Sequence, residues 1–132
     1  MDVFTSAVEL LRHHRPDRPV LALVADGSAL YTLQSLWTMA REQLDVTIVI
    51  FSNRRYAILR MELARVGATA PGERALQMLD ISPPEIDFVA LARGFGVPAS
   101  RPETAEGFSE ALERAFHEPG PHLIEAVVPS LF

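Results

Sequence analysis

Val20-Leu21-Ala22-Leu23-Val24-Ala25-Asp26-Gly27 decides the fold class. Six apolar residues in a row stop at an Asp-Gly pair. The run is far below the roughly 20 residues that a bilayer-spanning helix needs. It also lacks the polar alternation of a strand with one wet face. Short, continuous apolar runs of this kind fit strands of a parallel sheet covered by helices on both faces. The pattern returns in Val46-Thr47-Ile48-Val49-Ile50-Phe51, closed by Ser52-Asn53. Leu123–Val128 and the shorter Val97–Ser100 are two further candidate strands.

Helical periods fill the intervals. Val3–His14 places Val3, Ala7, Leu10 and Leu11 on one face and stops at Pro16. Thr32–Gln43 carries Leu33, Leu36, Trp37 and Ala40, and Leu36 and Trp37 are read as core. Tyr56–Val66 precedes Gly67, a helix stop. Asp87–Phe95 ends at Gly94 and Gly96, and Thr104–His117 opens on Thr104 as an N-cap. Gly67–Pro84 has no clear period, and two readings stand for it: a functional loop, or a partly helical connector. Strands alternating with helices predict a single α/β domain over residues 1–132, a three-layer α/β/α sandwich with a mainly parallel sheet.

Composition narrows the function classes. The chain has 132 residues, and its 48% hydrophobic and 22% charged content is that of a globular protein. It has no cysteine, which removes disulfides, thiolate zinc sites and a thiol nucleophile. Seventeen acidic against 12 basic residues give a net charge of −5, which disfavours general nucleic-acid binding. No apolar run suits a membrane span, and no charged n-region leads into an apolar stretch at the N-terminus. The expectation is a cytoplasmic chain without a membrane or nucleic-acid partner.

Ligands of open parallel sheets bind beyond the carboxyl ends of the strands. Here those ends are Asp26-Gly27-Ser28 and Ser52-Asn53-Arg54-Arg55-Tyr56, each turning into a helix. Asp26 and Asn53 offer hard oxygen ligands suited to Mg²⁺, and helix N-termini favour phosphate. Taken singly, Asp-Gly is also a common turn and Ser-Asn a common helix cap. Both readings stand on spacing alone.

Jointly, Val24-Ala25-Asp26-Gly27-Ser28, Tyr31–Thr38 and Val49–Tyr56 resemble the C-terminal cofactor domain of thiamine diphosphate enzymes. The resemblance is particularly to acetolactate synthase large subunits and benzoylformate decarboxylase. Their pattern is Gly-Asp-Gly followed by Asn-Asn or a single Asn. Phe88–Val97 and Pro119–Val127 also resemble the end of these enzymes. The resemblance implies the thiamine diphosphate-binding fold, with thiamine diphosphate and Mg²⁺ as cofactors. It implies that Asp26 and Asn53 ligate Mg²⁺ through their side chains and Arg55 through its backbone carbonyl. Gly27 and Ser28 would present N–H groups to the diphosphate, and Tyr56 would open the helix beside it. The implied activity is decarboxylation of a 2-oxo acid, with or without carboligation.

The chain departs from the pattern at three places. Ala25 replaces the leading Gly, Ser52 replaces the first Asn, and no Gly occurs before Gly27, where the family has a Gly-rich stretch. The family's activating glutamate lies on a separate pyrimidine domain, usually a partner subunit's, and no residue here is assigned that role. The expectation is therefore a cofactor-binding domain that is incomplete as a catalyst alone. It would act as a homo-oligomer or with a partner subunit carrying the pyrimidine domain. Two alternatives remain: a non-catalytic dimerisation or interaction module derived from that family, and a domain for another phosphorylated ligand.

Other motifs carry less. Gly94-Phe95-Gly96-Val97-Pro98-Ala99 follows a helix and precedes a strand, the reverse of a dinucleotide fingerprint. His13-His14 sits at a helix end among arginines, and His117 and His122 are given no role. Arg54 and Arg55 are read as solvated or as subunit contacts. Ser28 lacks the Gly-x-Ser-x-Gly setting of a hydrolase nucleophile.

Overall fold

A computed structural model describes residues 3–9, 18–68 and 71–130. Along the chain the elements are α1 (Val3–Glu9), β1 (Val20–Ala25), α2 (Asp26–Ala29), α3 (Ser35–Arg41) and β2 (Val46–Ser52). There follow α4 (Ala57–Arg65), α5 (Glu73–Met78), α6 (Phe88–Gly94), β3 (Ala99–Ser100), α7 (Ala105–His117) and β4 (His122–Val127). His13, His14 and the expected helix beyond Glu9 lie outside the described residues.

The sheet is parallel throughout, in the order β1-β2-β4-β3. Val20 pairs with Val46 and Ala25 with Phe51, so the two apolar runs lie in register and end together. Thr47 pairs with His122 across the next ladder. Because side chains alternate between faces, the sheet splits into two surfaces. Ala22, Val24, Ile48, Ile50 and Leu123 face one way and bury Phe4, Leu36, Met39, Phe88 and Ala92 from α1, α3 and α6. Val49 and Ile124 face the other way, under Ala111 and Ala115 of α7. These are the three expected layers. Each large apolar side chain removed from water here stabilises by about 1.5–3 kcal/mol.

Local chemistry accounts for the helix ends. Thr104 Oγ1 accepts from Gly107 N at 3.0 Å, the expected N-cap of α7. Asp87 caps α6 by accepting from Ala90 N at 2.9 Å. Gly67 and Gly96 follow α4 and α6 with φ of +83° and +84°, a conformation that costs most residues a clash with their own Cβ.

Three expectations change, and one question left open takes an answer. β1 is an edge strand, and Leu21 and Leu23 on its second face are 43% and 53% exposed. Only α7 covers that face among the described residues, and it packs on β2 and β4. Trp37 is 52% exposed, with the Arg41 guanidinium 4.6 Å from its ring centroid, while neighbouring Leu36 is fully buried. The third strand is Ala99–Ser100 rather than Val97–Ser100: Val97 N bonds back to Ala92 O, and Pro98 has no N–H. Finally, the segment after Gly67 is a partly helical connector. It holds α5 and returns to the end of β2 through an antiparallel bridge between Arg55 and Asp80. Among the described residues, no helix is long and apolar enough to cross a membrane.

Candidate functional site

The ends of β1 and β2 lie side by side, about 5 Å apart as neighbouring strands must. Asp26 is the first residue past the Ala25–Phe51 pair, and Asn53 is the first past Ser52. The backbone beyond β2 folds directly onto Asp26. Arg54 N donates to Asp26 Oδ2 at 2.5 Å, and Gly27 N donates to Asp26 Oδ1 at 2.8 Å. Asp26 is only 1% exposed, and among the described residues no Lys, Arg or His forms an ion pair with it. A buried carboxylate held by neutral N–H donors alone is costly, and it is a place where a cation is welcome.

Asn53 is half-buried, and its Oδ1 accepts from Arg55 N at 3.0 Å. The Arg55–Asp80 bridge fixes the next peptides. Its hydrogen bonds run from Tyr56 N to Leu79 O at 2.9 Å and from Ile81 N to Arg54 O at 3.1 Å. Neither uses the Arg55 carbonyl.

Tyr56 stands before α4 and lays its ring across Gly27. A Cβ at Gly27 would lie 2.4 Å from Tyr56 Cε1 and 2.7 Å from Cδ1. Gly27 is thus required by the ring that packs on it. Ser28 is exposed in the first turn of α2. Asp26, Gly27, Asn53, Arg55 and Tyr56 are therefore brought to one place, with Ser28 at its rim.

The expected donors are a carboxylate, an amide oxygen and a carbonyl oxygen, all of them hard ligands. Among the described residues no group of three or more His, Cys, Asp or Glu side chains converges on a metal position. Such a set suits a cation that completes its shell with water and phosphate oxygens, as Mg²⁺ does. The residues fit a Mg²⁺–diphosphate pair better than a metal bound by protein alone.

Beside the site lies a cavity of about 260 Å³ between α4 and α5, whose walls include Arg55, Tyr56, Arg60, Leu76, Leu79 and Asp80. The Ser82 hydroxyl, at 2.5 Å, and the Ser82 N–H, at 2.8 Å, hold the Asp80 carboxyl below its ordinary value, with Arg55 adding to the effect. On the opposite side of the turn, the Arg54 side chain is solvated as expected, 44% exposed, and pairs with a comparably exposed Glu85. Arg101 donates from Nε and Nη2 to Glu125 Oε2, both at 2.8 Å. The Glu125 bond raises the Arg101 pKa, outweighing the opposing effect of burial.

Sequence reasoning weighed the Arg54 side chain but not its backbone. Arg54 enters through its backbone N–H, made available by a φ of +59°. Arginine has no special tendency toward that conformation, so the local sequence carries no signal for it.

The chain matches the family model "Thiamine pyrophosphate enzyme, C-terminal TPP binding domain" over residues 4–126. It is 62% identical over 117 residues to a Mycobacterium tuberculosis protein provisionally named an acetolactate synthase large subunit, IlvX. That alignment covers 88% of this chain and 23% of the relative. It is 36% identical over 112 residues to benzoylformate decarboxylase of Pseudomonas aeruginosa, covering 84% of this chain and 20% of that enzyme. The crystal structure of benzoylformate decarboxylase from Polynucleobacter necessarius superimposes with a TM-score of 0.82 at 27% identity, over 96% of this chain and 23% of that one. The chain thus spans about a fifth of the length of the curated relatives it matches.

Proposed function

We propose a function from one premise: this chain belongs to the thiamine pyrophosphate enzyme family, as a form of its C-terminal TPP-binding domain. The reading is that it holds the diphosphate end of thiamine diphosphate through Mg²⁺, for an enzyme of the acetolactate synthase or 2-oxo acid decarboxylase kind. Asp26 and Asn53 would ligate the cation through their side chains, and Arg55 through its carbonyl. Gly27 and Ser28 would offer N–H groups to the diphosphate, and Tyr56 would wall the site. One observation carries the reading: a buried Asp26 carboxylate without a cationic partner among the described residues, at adjoining parallel strand ends.

Bound there, the cofactor supplies the carbon nucleophile that cleaves or condenses 2-oxo acids. The chain's own part is binding and orientation. Residues 1–132 would act as one such domain, and the activating glutamate would come from a pyrimidine domain on a partner subunit. The compartment in this reading is the cytoplasm.

Calorimetry with thiamine diphosphate tests the binding role. Binding is expected to require Mg²⁺ and to weaken by more than about tenfold in Asp26→Ala. Wild-type binding that ignores Mg²⁺, or that survives Asp26→Ala unchanged, would count against the assignment.

A second reading, a dimerisation or interaction module, is favoured by the exposed apolar surface. Leu21 and Leu23 of β1 are 43% and 53% exposed, and α4 buries none of its residues although it presents Ile58, Leu59 and Met61. Native mass measurement separates the two: a stable dimer with no heat on addition of cofactor supports the module.

A further inference from the structure

We propose that the Arg54–Glu85 ion pair is a clamp that fixes the Arg54 N–H on Asp26, and so sets the orientation of the candidate cation ligand. The inference rests on the cation-site reading above and deepens it by naming two positioning residues, neither of them a ligand.

Arg54 has a φ of +59°, uncommon for a residue with a Cβ. Such a conformation persists where its surroundings over-determine it. Three anchors do so here. Its N–H donates to Asp26 Oδ2 at 2.5 Å. Its carbonyl accepts from Ile81 N at 3.1 Å. Its guanidinium pairs through Nη2 with Glu85 Oε1. Two of these anchors come from the segment 81–85, which thereby holds the turn against Asp26 from the far side.

That segment is itself tied to the sheet. Asp87 caps α6 and lies 3.6 Å from Arg101 Nη2, and Glu85 is within electrostatic reach of the same guanidinium. Arg101 in turn grips buried Glu125 in β4. Charges therefore run from Glu125 in the sheet through Arg101 toward Glu85 and the Arg54 guanidinium, and the Arg54 backbone N–H completes the link to Asp26. Without the Glu85 carboxylate one of the three anchors is lost, so Arg54 relaxes toward negative φ more often and its N–H leaves Asp26 Oδ2 more often. The Asp26 carboxylate then loses the donor that fixes its rotation. Partners that orient a metal ligand in this way typically change metal affinity by about 10–100-fold.

The test uses the full chain in two measurements. The first needs no ligand: amide hydrogen exchange at residue 54, read by NMR in wild type, Glu85→Gln, Arg54→Ala and Arg54→Gly. Exchange is expected to quicken by roughly tenfold in Glu85→Gln and Arg54→Ala, beyond any global loss of stability reported by core amides. Arg54→Gly, which adopts positive φ without a side-chain anchor, is expected to keep more protection than Arg54→Ala. The second measurement is the Mg²⁺ concentration needed for thiamine diphosphate binding, expected to rise roughly tenfold in Glu85→Gln. Unchanged exchange in Glu85→Gln overturns the clamp, whatever the binding result. Quickened exchange with an unchanged Mg²⁺ requirement overturns its link to the site. A wild-type chain that binds no cofactor refutes the binding reading instead, while the exchange data still decide the clamp.

Discussion

Replacing Arg101 by Met should be among the most damaging single changes away from the site. The Glu125 side chain is 2% exposed, and its Oε2 accepts from Arg101 Nε and Nη2, both at 2.8 Å. Removing one partner of a buried pair costs about 3–5 kcal/mol, because the surviving charge stays desolvated. Arg101 is 34% exposed, so solvent already screens part of the interaction. The discounted cost is about 2–3 kcal/mol. With a urea slope of about 1.5 kcal/mol per molar for a domain of this size, the midpoint should fall by about 1–2 M. The effect should be asymmetric. In Glu125→Leu the freed guanidinium is near the surface and can turn to water, so the loss should stay under about 1 kcal/mol. The double variant Arg101→Met/Glu125→Leu should recover most of what Arg101→Met loses. Urea unfolding followed by circular dichroism on all three variants reads this directly. An Arg101→Met cost below about 0.5 kcal/mol, or a double variant no more stable than Arg101→Met, would refute the reasoning.

Gly27→Ala should destabilise by about 1–3 kcal/mol, since the added methyl would stand 2.4 Å from the Tyr56 ring and force it aside. Pairing it with Tyr56→Ala should remove most of the extra cost, measurable in the same unfolding assay by a double-mutant cycle. The base of the α4–α5 excursion should respond to acid. Ser82 holds the folded Asp80 pKa below its ordinary 3.8, so the unfolded chain binds this proton more readily. The contribution is thus complete above about pH 4 and is lost as pH falls through the folded value. NMR titration of Asp80 should give a value below 3.8 in wild type, moving up toward it in Ser82→Ala; equal values in the two proteins would contradict this.

The parts of the molecule that were legible in the sequence are those fixed by short-range chemistry. Two apolar runs ending at Asp26-Gly27 and Ser52-Asn53 specify strands, and parallel pairing brings those ends together at Ala25–Phe51. Thr104 caps its helix because a threonine oxygen before an amphipathic run has an N–H within reach. What escaped was set by position in the whole. Val20–Ala25 reads as an interior strand from its own residues, yet it forms the sheet edge, and nothing within six residues states how many neighbours a strand will have. Trp37 shares the helical period of Leu36 but stands one residue around the turn, about 100° away, which is enough to move it from core to surface beside Arg41.

The site divides along the same line. Side chains announced their chemistry, and Asp26 and Asn53 were visible as hard oxygen donors at strand ends. Backbone roles were not. The Arg54 N–H reaches Asp26 only because the chain turns through positive φ, and that turn is closed by Ile81 and Glu85, which lie about thirty residues further on in sequence. On the proposed reading, a pattern centred on Asp-Gly and Asn therefore names the ligands but not what aims them. It follows that two chains sharing Asp26, Gly27 and Asn53 need not share cation affinity: the segment 81–85, remote in sequence and adjacent in space, is where they would differ.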